Sequence, residues 1–149
     1  FWTGPGERIE TLRAEFSEQL DVVYTTNDGS FGTPGFVTGP LEELLSGGGR
    51  PVAEVITIGP PMMMRAVSDL SLRYETPCVA SLNSIMVDAT GMCGACMVPV
   101  VIEGKAVRKH ACIDGPEINS HIIEWDKFLP RFNQFSAQEK ASRVRHGLA

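Results

Sequence analysis

The 149-residue sequence lacks the features that would point to a membrane or a nucleic acid. No stretch approaches about 20 consecutive apolar residues, so no segment is expected to span a membrane. The net charge is −5 and the basic runs are no longer than Arg108-Lys109-His110, which argues against nucleic acid as a partner. A Gly-x-Gly-x-x-Gly sequence is absent as well, so the chain cannot assemble a complete dinucleotide-binding fingerprint by itself.

Cysteine is scarce, but its distribution is not random. Of four cysteines, three fall within residues 81–116, and an aspartate precedes them. Asp88, Cys93, Cys96 and Cys112 form the pattern Asp-x4-Cys-x2-Cys-x15-Cys. This is the ligand spacing of a plant-type 2Fe–2S cluster, with a carboxylate in the first position. The four side chains are therefore the predicted metal ligands.

The residues between these ligands fit a loop that curls around a cluster. Gly91 and Gly94 can adopt backbone conformations that larger residues avoid. Residues 97–102 and 106–111 read as two strands joined by a short turn, a β-hairpin that would bring Cys112 back beside the Cys-x2-Cys pair.

Other interpretations of the cysteines remain open. The thiols could be buried as small apolar groups, or they could hold a structural zinc with His110 or Cys78 as a fourth ligand. A disulfide is the third alternative, although nothing in the chain marks secretion. Cys78 itself lies in an apolar run and is expected to be a core residue of a strand. Thiols that bind iron indicate a reducing compartment, hence the cytoplasm.

Strand and helix patterns alternate along the first half of the chain. Short β-branched or apolar runs predict strands at 21–25, 53–58 and 77–82. Apolar residues at helical spacing predict helices at 9–20, 37–45 and 62–70. This alternation is typical of an α/β fold with a parallel sheet.

Two loops follow predicted parallel strands at their C-terminal ends, where open α/β sheets bind ligands. The predicted nucleotide-contacting residues of these loops are Asp28, Gly29, Ser30, Gly59, Pro60 and Met62. Both loops could also be simple turns, and the methionines after Pro61 could be core residues.

The runs SLNSIMVDATGMCGACMV and ACIDGPEI carry a resemblance to a known family. They resemble the C-terminal part of the small flavoprotein/iron–sulfur subunit of NADH-dependent ferredoxin:NADP oxidoreductase, also described as the sulfide dehydrogenase beta subunit. A related family is the electron-transfer subunit of dihydroorotate dehydrogenase B, which normally has cysteine where Asp88 stands. Aspartate favours the first family, although Ala89 replaces a glycine of its motif. The likeness covers about residues 21–132.

The resemblance implies a fold and an activity. Residues 1–82 would be a ferredoxin-reductase-like NAD(P)-binding domain truncated at its N-terminus. Residues 83–128 would be an appended small β subdomain for the 2Fe–2S cluster, and residues 129–149 a helical tail. Electrons would pass between NAD(P)H, FAD and the cluster to a larger flavoprotein/iron–sulfur oxidoreductase subunit. FAD would be bound mainly by a domain absent from this chain, so the isolated chain is expected to be inactive. The alternatives are a dihydroorotate dehydrogenase electron-transfer subunit and a non-catalytic metal-bearing docking module.

Overall fold

The computed structural model describes residues 21–47, 51–133 and 136–147. The chain forms two compact units, Phe1–Ala53 and Glu54–Ala149, and each is described by itself. Among the described residues there is no helix long and apolar enough to cross a membrane.

The first unit contains two very short strands and one helix. Strand β1 (Thr25–Thr26) pairs in parallel with β2 (Thr33–Pro34), and helix α1 spans Thr38–Ser46. The helix confirms the prediction for 37–45, and Pro40 lies in its first turn, where a missing N–H costs little. The predicted buried strand at 21–25 is wrong in extent, because only Thr25 is in a strand and Val22 and Val23 are exposed. The helix predicted at 9–20 lies outside the described residues.

The second unit is built on a three-stranded sheet in the order β3-β4-β7. Strands β3 (Val55–Ile58) and β4 (Cys78–Ser81) are parallel, which confirms the predicted strands and the α/β class. The third strand, β7 (Glu117–Asn119), is antiparallel to β4. The sheet is therefore mixed rather than wholly parallel, because the chain returns to β4 from the opposite direction after the cysteine segment.

Helix α2 (Pro61–Arg73) connects β3 to β4 and covers one face of this sheet. Pro61 occupies the first helical position, where its fixed φ suits a helix start. Met64, Val67 and Leu70 recur at helical spacing and are buried. The core of the unit joins this helix to the sheet and to the cysteine segment, and its members are Met64, Ala80, Leu82, Cys96, Val98, Val100, Ala111, Ile118, Ile123, Trp125 and Phe128.

The predicted hairpin is present as β5 (Met97–Ile102) and β6 (Lys105–His110). Its turn residues, Glu103 and Gly104, have φ values of 51° and 75°. Positive φ at both central residues is the type I′ geometry that matches the twist of two antiparallel strands. The first strand buries Val98 and Val100, whereas the second is largely exposed.

Short helical segments complete the chain after the hairpin. They are helix α3 (Ala111–Asp114), a 3-10 turn at Ser120–Ile122, helix α4 (Trp125–Phe128), a 3-10 segment at Leu129–Asn133 and helix α5 (Ser136–Arg145). The last helix agrees with the predicted helical tail. The domain boundaries after residues 82 and 128 stay a prediction. Strand β4 precedes the boundary at residue 82 and strand β7 follows it, yet the two strands pair in one sheet.

Candidate metal centre

The loop between β4 and β5 carries three of the four predicted metal ligands. Its backbone turns repeatedly, with φ values of 57° at Ala89, 83° at Gly91 and 68° at Gly94. Ala89 is the strained member of the three, because a left-handed conformation costs a residue with a Cβ about 1–2 kcal/mol. It is also the position where the resembling family has glycine.

Asp88 and Cys93 form one pair at the exposed rim of this loop. The Asp88 carboxylate accepts a hydrogen bond from the Thr90 N–H at 3.0 Å. That bond, followed by a hydrogen bond from the Cys93 thiol, holds the pKa of the Asp88 carboxyl below its ordinary value. Asp88 is thus an anionic oxygen donor directly beside an exposed thiol.

Cys96 and Cys112 form a second pair, at the boundary of the core. The Cys96 thiol donates to the Cys112 sulfur at 3.2 Å. Cys96 is buried and Cys112 is half-buried at the start of α3, and all four cysteines are free thiols. The hydrogen bond with Cys96 and then desolvation raise the pKa of Cys112, while the Gly91 N–H acts in the opposite direction.

The structure thus brings the predicted ligands together as two pairs. Within residues 21–47, 51–133 and 136–147, no group of three or more His, Cys, Asp or Glu side chains is placed to hold a single metal ion. Cys78 is buried in β4, as expected for a core residue of the sheet. The assignment of Asp88 and the three other cysteines to one centre stays a prediction.

Two anchors hold the main chain around Cys96. The Ala111 N–H donates to the Cys96 carbonyl at 3.1 Å, which ties the end of the hairpin to the ligand loop. The Arg131 guanidinium donates to the Ala95 carbonyl at 3.3 Å. Arg131 carries no sequence signal for this contact, because it lies 36 residues beyond Ala95 and no local pattern links the two.

The surface around the ligand loop is unusually apolar. Exposed apolar side chains on the loop and on α3 are Ile85, Met86, Val87, Met92 and Ile113. Val87 and Met92 are 75% and 86% exposed, although large apolar residues are usually covered.

The first predicted nucleotide loop, in unit Phe1–Ala53, is a tight exposed turn after β1. Its Asp28 carboxylate accepts from the Ser30 hydroxyl at 2.7 Å and from the Ser30 N–H at 3.1 Å. These bonds hold the pKa of the Asp28 carboxyl below its ordinary value, the hydroxyl having the larger effect. Gly29 has a φ of 70°, which suits glycine in this turn. A nucleotide contact at Asp28, Gly29 and Ser30 stays a prediction.

The second predicted nucleotide loop, in unit Glu54–Ala149, joins β3 to α2. Gly59 has a φ of 154°, a region that is nearly restricted to glycine. Pro60 directly precedes the helix, and its carbonyl accepts the Met64 N–H at 3.0 Å. Met62 is 65% exposed whereas Met64 is fully buried, so the methionine run is only partly core. The start of helix α2 is therefore accessible to a ligand. A nucleotide contact at Gly59, Pro60 and Met62 also stays a prediction.

Comparison with known proteins finds a family model that matches the cysteine segment. The family model for the iron–sulfur cluster binding domain of dihydroorotate dehydrogenase B matches residues 83–124. A dihydroorotate dehydrogenase B (NAD(+)) electron transfer subunit homolog from Thermotoga maritima is 41% identical over 88% of this chain and 44% of its own length. The electron transfer subunit from Caldanaerobacter subterraneus subsp. tengcongensis is 34% identical over 74% of this chain and 44% of its own length.

A solved structure is similar to this chain in fold. The chain matches a structure of NADH-dependent reduced ferredoxin–NADP oxidoreductase, described for flavin-based electron bifurcation, with a TM-score of 0.72 and 40% sequence identity. The match covers 89% of this chain and 46% of the other. The chain thus spans less than half the length of the relatives it matches. Over most of its own length it resembles the electron-transfer subunits of dihydroorotate dehydrogenase B and the related NADH-dependent ferredoxin–NADP oxidoreductase, and residues 83–124 are the segment that matches the cluster-binding family.

Proposed function

We propose that this chain is part of the electron-transfer subunit of an iron–sulfur flavoprotein oxidoreductase and that it holds a 2Fe–2S cluster. The observation that carries the proposal is the arrangement of the predicted ligands as two pairs, Asp88 with Cys93 and Cys96 with Cys112. The matched family and the electron-transfer names of the relatives support the same assignment.

The two pairs fit a two-iron cluster better than a single ion. A 2Fe–2S cluster takes two protein donors on each iron, whereas a structural zinc takes four around one ion. In the described part of the chain no three donors converge on one point. Asp88 and Cys93 would bind the outer iron, and Cys96 and Cys112 the inner one.

The protein contributes charge balance and burial to this centre. When bound, the cluster supplies one-electron transfer. The Gly91 N–H acts to lower the pKa of the Cys112 thiol and so favours its thiolate form. Cys96 is buried in the core, so the inner side of the site is shielded from water, while Asp88 and Cys93 face solvent.

The remaining components of the proposal follow from the relatives. NAD(P)H would contact the loops at Asp28–Ser30 and Gly59–Met62, and FAD would be bound mainly outside this chain. The exposed apolar side chains around the ligand loop would contact the larger oxidoreductase subunit. Thiols that bind iron favour a reducing compartment, so the cytoplasm is the proposed location.

Anaerobic reconstitution of the chain with iron and sulfide tests the cluster directly. We expect a brown protein with equal iron and acid-labile sulfide, and loss of both in Cys112→Ser. Cys78→Ala is the matched control, because Cys78 is buried in the sheet and should leave the cluster intact. A colourless protein that instead retains zinc would contradict the proposal.

The isolated chain should not oxidise NAD(P)H. Its sequence contains no Gly-x-Gly-x-x-Gly phosphate loop, and FAD is proposed to bind mainly outside this chain. Turnover with an artificial electron acceptor, measured without any added flavoprotein, would contradict this part of the proposal.

A dihydroorotate dehydrogenase electron-transfer subunit is the second candidate, favoured by the family match and by the names of the relatives. Asp88 favours the ferredoxin–NADP oxidoreductase branch instead, since the other branch normally has cysteine there. Assaying the intact complex with ferredoxin and with dihydroorotate as alternative electron partners would distinguish the two.

A further inference from the structure

Arg131 reaches the ligand loop from a distant part of the chain. It lies in the 3-10 segment Leu129–Asn133 and is half-buried. The aromatic ring of Phe128, which is 2% exposed, packs edge-on against Phe132 with ring centroids 5.0 Å apart. These two rings flank Arg131 in sequence and fix its segment on the core.

The contact between Arg131 and the loop is closely packed. Ala95 and Arg131 line a pocket of about 10 Å³ together with Ser84, Ile85, Met97, Phe128 and Phe132. A space of this size holds at most one water molecule. The guanidinium donates directly to the Ala95 carbonyl at 3.3 Å, so the two groups are in contact rather than merely near each other.

This hydrogen bond constrains Cys96 through the peptide plane. The Ala95 carbonyl and the Cys96 N–H belong to one planar trans peptide, so they point in opposite directions. Fixing the carbonyl on Arg131 fixes the orientation of the Cys96 N–H. The Ala111 N–H holds the next carbonyl, at Cys96, with a distance of 3.1 Å. Cys96 is therefore held on both sides, once by a side chain and once by the main chain.

The charge of Arg131 acts on the same site. In the parts of the chain that the structure describes, no carboxylate forms an ion pair with this guanidinium. A cation beside an anionic centre favours the more negative state of that centre, and reduction adds negative charge to a cluster.

We propose that Arg131 is a positioning residue for the ligand loop, which holds Cys96 through the Ala95 carbonyl and whose charge raises the reduction potential of the bound cluster. The second part of this inference rests on the proposed function, whereas the first concerns the loop alone. Two measurements therefore separate them.

Hydrogen exchange tests the positioning role in the full chain as purified. In Arg131→Gln the amides of residues 94–97 should exchange about tenfold faster than in wild type, since a hydrogen bond from a charged donor is worth at least the free energy of a tenfold change. The turn at Glu103-Gly104 should be unchanged. Arg143→Gln, which removes an exposed arginine from α5, is the matched control and should leave both segments unchanged. Equal rates in the two variants would overturn the positioning role, and so would faster exchange throughout the second unit.

Redox titration tests the charge in the reconstituted protein. Arg131→Gln should shift the reduction potential to a more negative value and lose its cluster about tenfold faster than Arg143→Gln. Arg131→Lys keeps the charge and should restore the potential, but only part of the exchange protection, because it lacks the planar fork. A potential that is equal in Arg131→Gln and wild type would overturn the charge effect. If wild type holds no cluster, the proposed function and the charge effect both fail, while the exchange result still decides the positioning role.

Discussion

Replacing Gly91 by alanine should weaken the metal centre more than the same change at other glycines. Gly91 has a φ of 83°, and a Cβ added there would lie 2.6 Å from the Ile113 Cδ1. Gly94 and Gly104 have similar φ values, 68° and 75°, but a Cβ at either would meet no atom within 4 Å. The three glycines therefore share the backbone strain and differ in the steric contact.

The expected loss in the free energy of unfolding is the sum of the backbone strain and the steric contact. A left-handed conformation costs alanine about 1–2 kcal/mol, of which restriction of the unfolded chain returns about 0.4–1 kcal/mol. Each Gly→Ala variant should thus lose about 1 kcal/mol in the free energy of unfolding, or about 2–4 °C in Tm for a chain of this size. At Gly91 the exposed end of the Ile113 side chain must also move, which adds at most about 0.5–1.5 kcal/mol. Ile113 follows Cys112 directly, so this displacement also reaches a predicted ligand.

Urea unfolding measures the loss of stability, and the iron content after reconstitution measures the damage to the metal centre. Gly104→Ala, in the hairpin turn, should lose stability but keep its iron. Gly91→Ala should lose both, and a second change, Ile113→Ala, should recover the part due to the steric contact. The reasoning is refuted if Gly91→Ala behaves like Gly104→Ala in both assays, or if Ile113→Ala recovers nothing.

Three further predictions concern single features of the structure. In the metal-free chain, iodoacetamide should modify the exposed Cys93 before the buried Cys96, as followed by mass spectrometry; the reverse order would contradict the placement of the loop. Ser30→Ala should raise the pKa of Asp28 towards 3.8, because the variant loses the hydroxyl that donates to the carboxylate. The carboxylate stabilises its turn only above the folded pKa, so this stabilisation should be lost at a higher pH in the variant. An NMR titration of Asp28 that is unchanged in the variant would contradict this. Phe128→Ala should lower the free energy of unfolding by about 3–5 kcal/mol in urea, because the ring is buried between Trp125 and Phe132; a loss below about 1 kcal/mol would contradict the described core.

The features that could be predicted from the sequence are those determined by local patterns. The hairpin follows from two short strand-like runs on either side of Glu103-Gly104, of which Gly104 readily adopts the positive φ of a type I′ turn. The parallel pairing of β3 and β4 follows from two short strands separated by a helix. The cysteine spacing identified the candidate ligands, since four donors at these intervals are typical of a plant-type cluster.

The features that escaped prediction depend on contacts between distant residues. Strand β7 has only three residues, too few for a period-2 pattern to be recognised, so its antiparallel pairing with β4 is visible only in the folded chain. The spacing named four ligands without showing that Cys96 contacts Cys112 and Asp88 contacts Cys93. The hydrogen bond from Arg131 to Ala95 likewise has no local sequence signal.

A Mössbauer spectrum of the oxidised, iron-reconstituted chain tests the central claim most directly. If Asp88 and Cys93 bind one iron while Cys96 and Cys112 bind the other, the spectrum should contain two distinct ferric sites in equal amounts, because a carboxylate is a harder donor than a thiolate. In Asp88→Cys the two sites should become nearly alike. A wild-type spectrum with two equivalent sites, unchanged in Asp88→Ala, would contradict the ligand assignment.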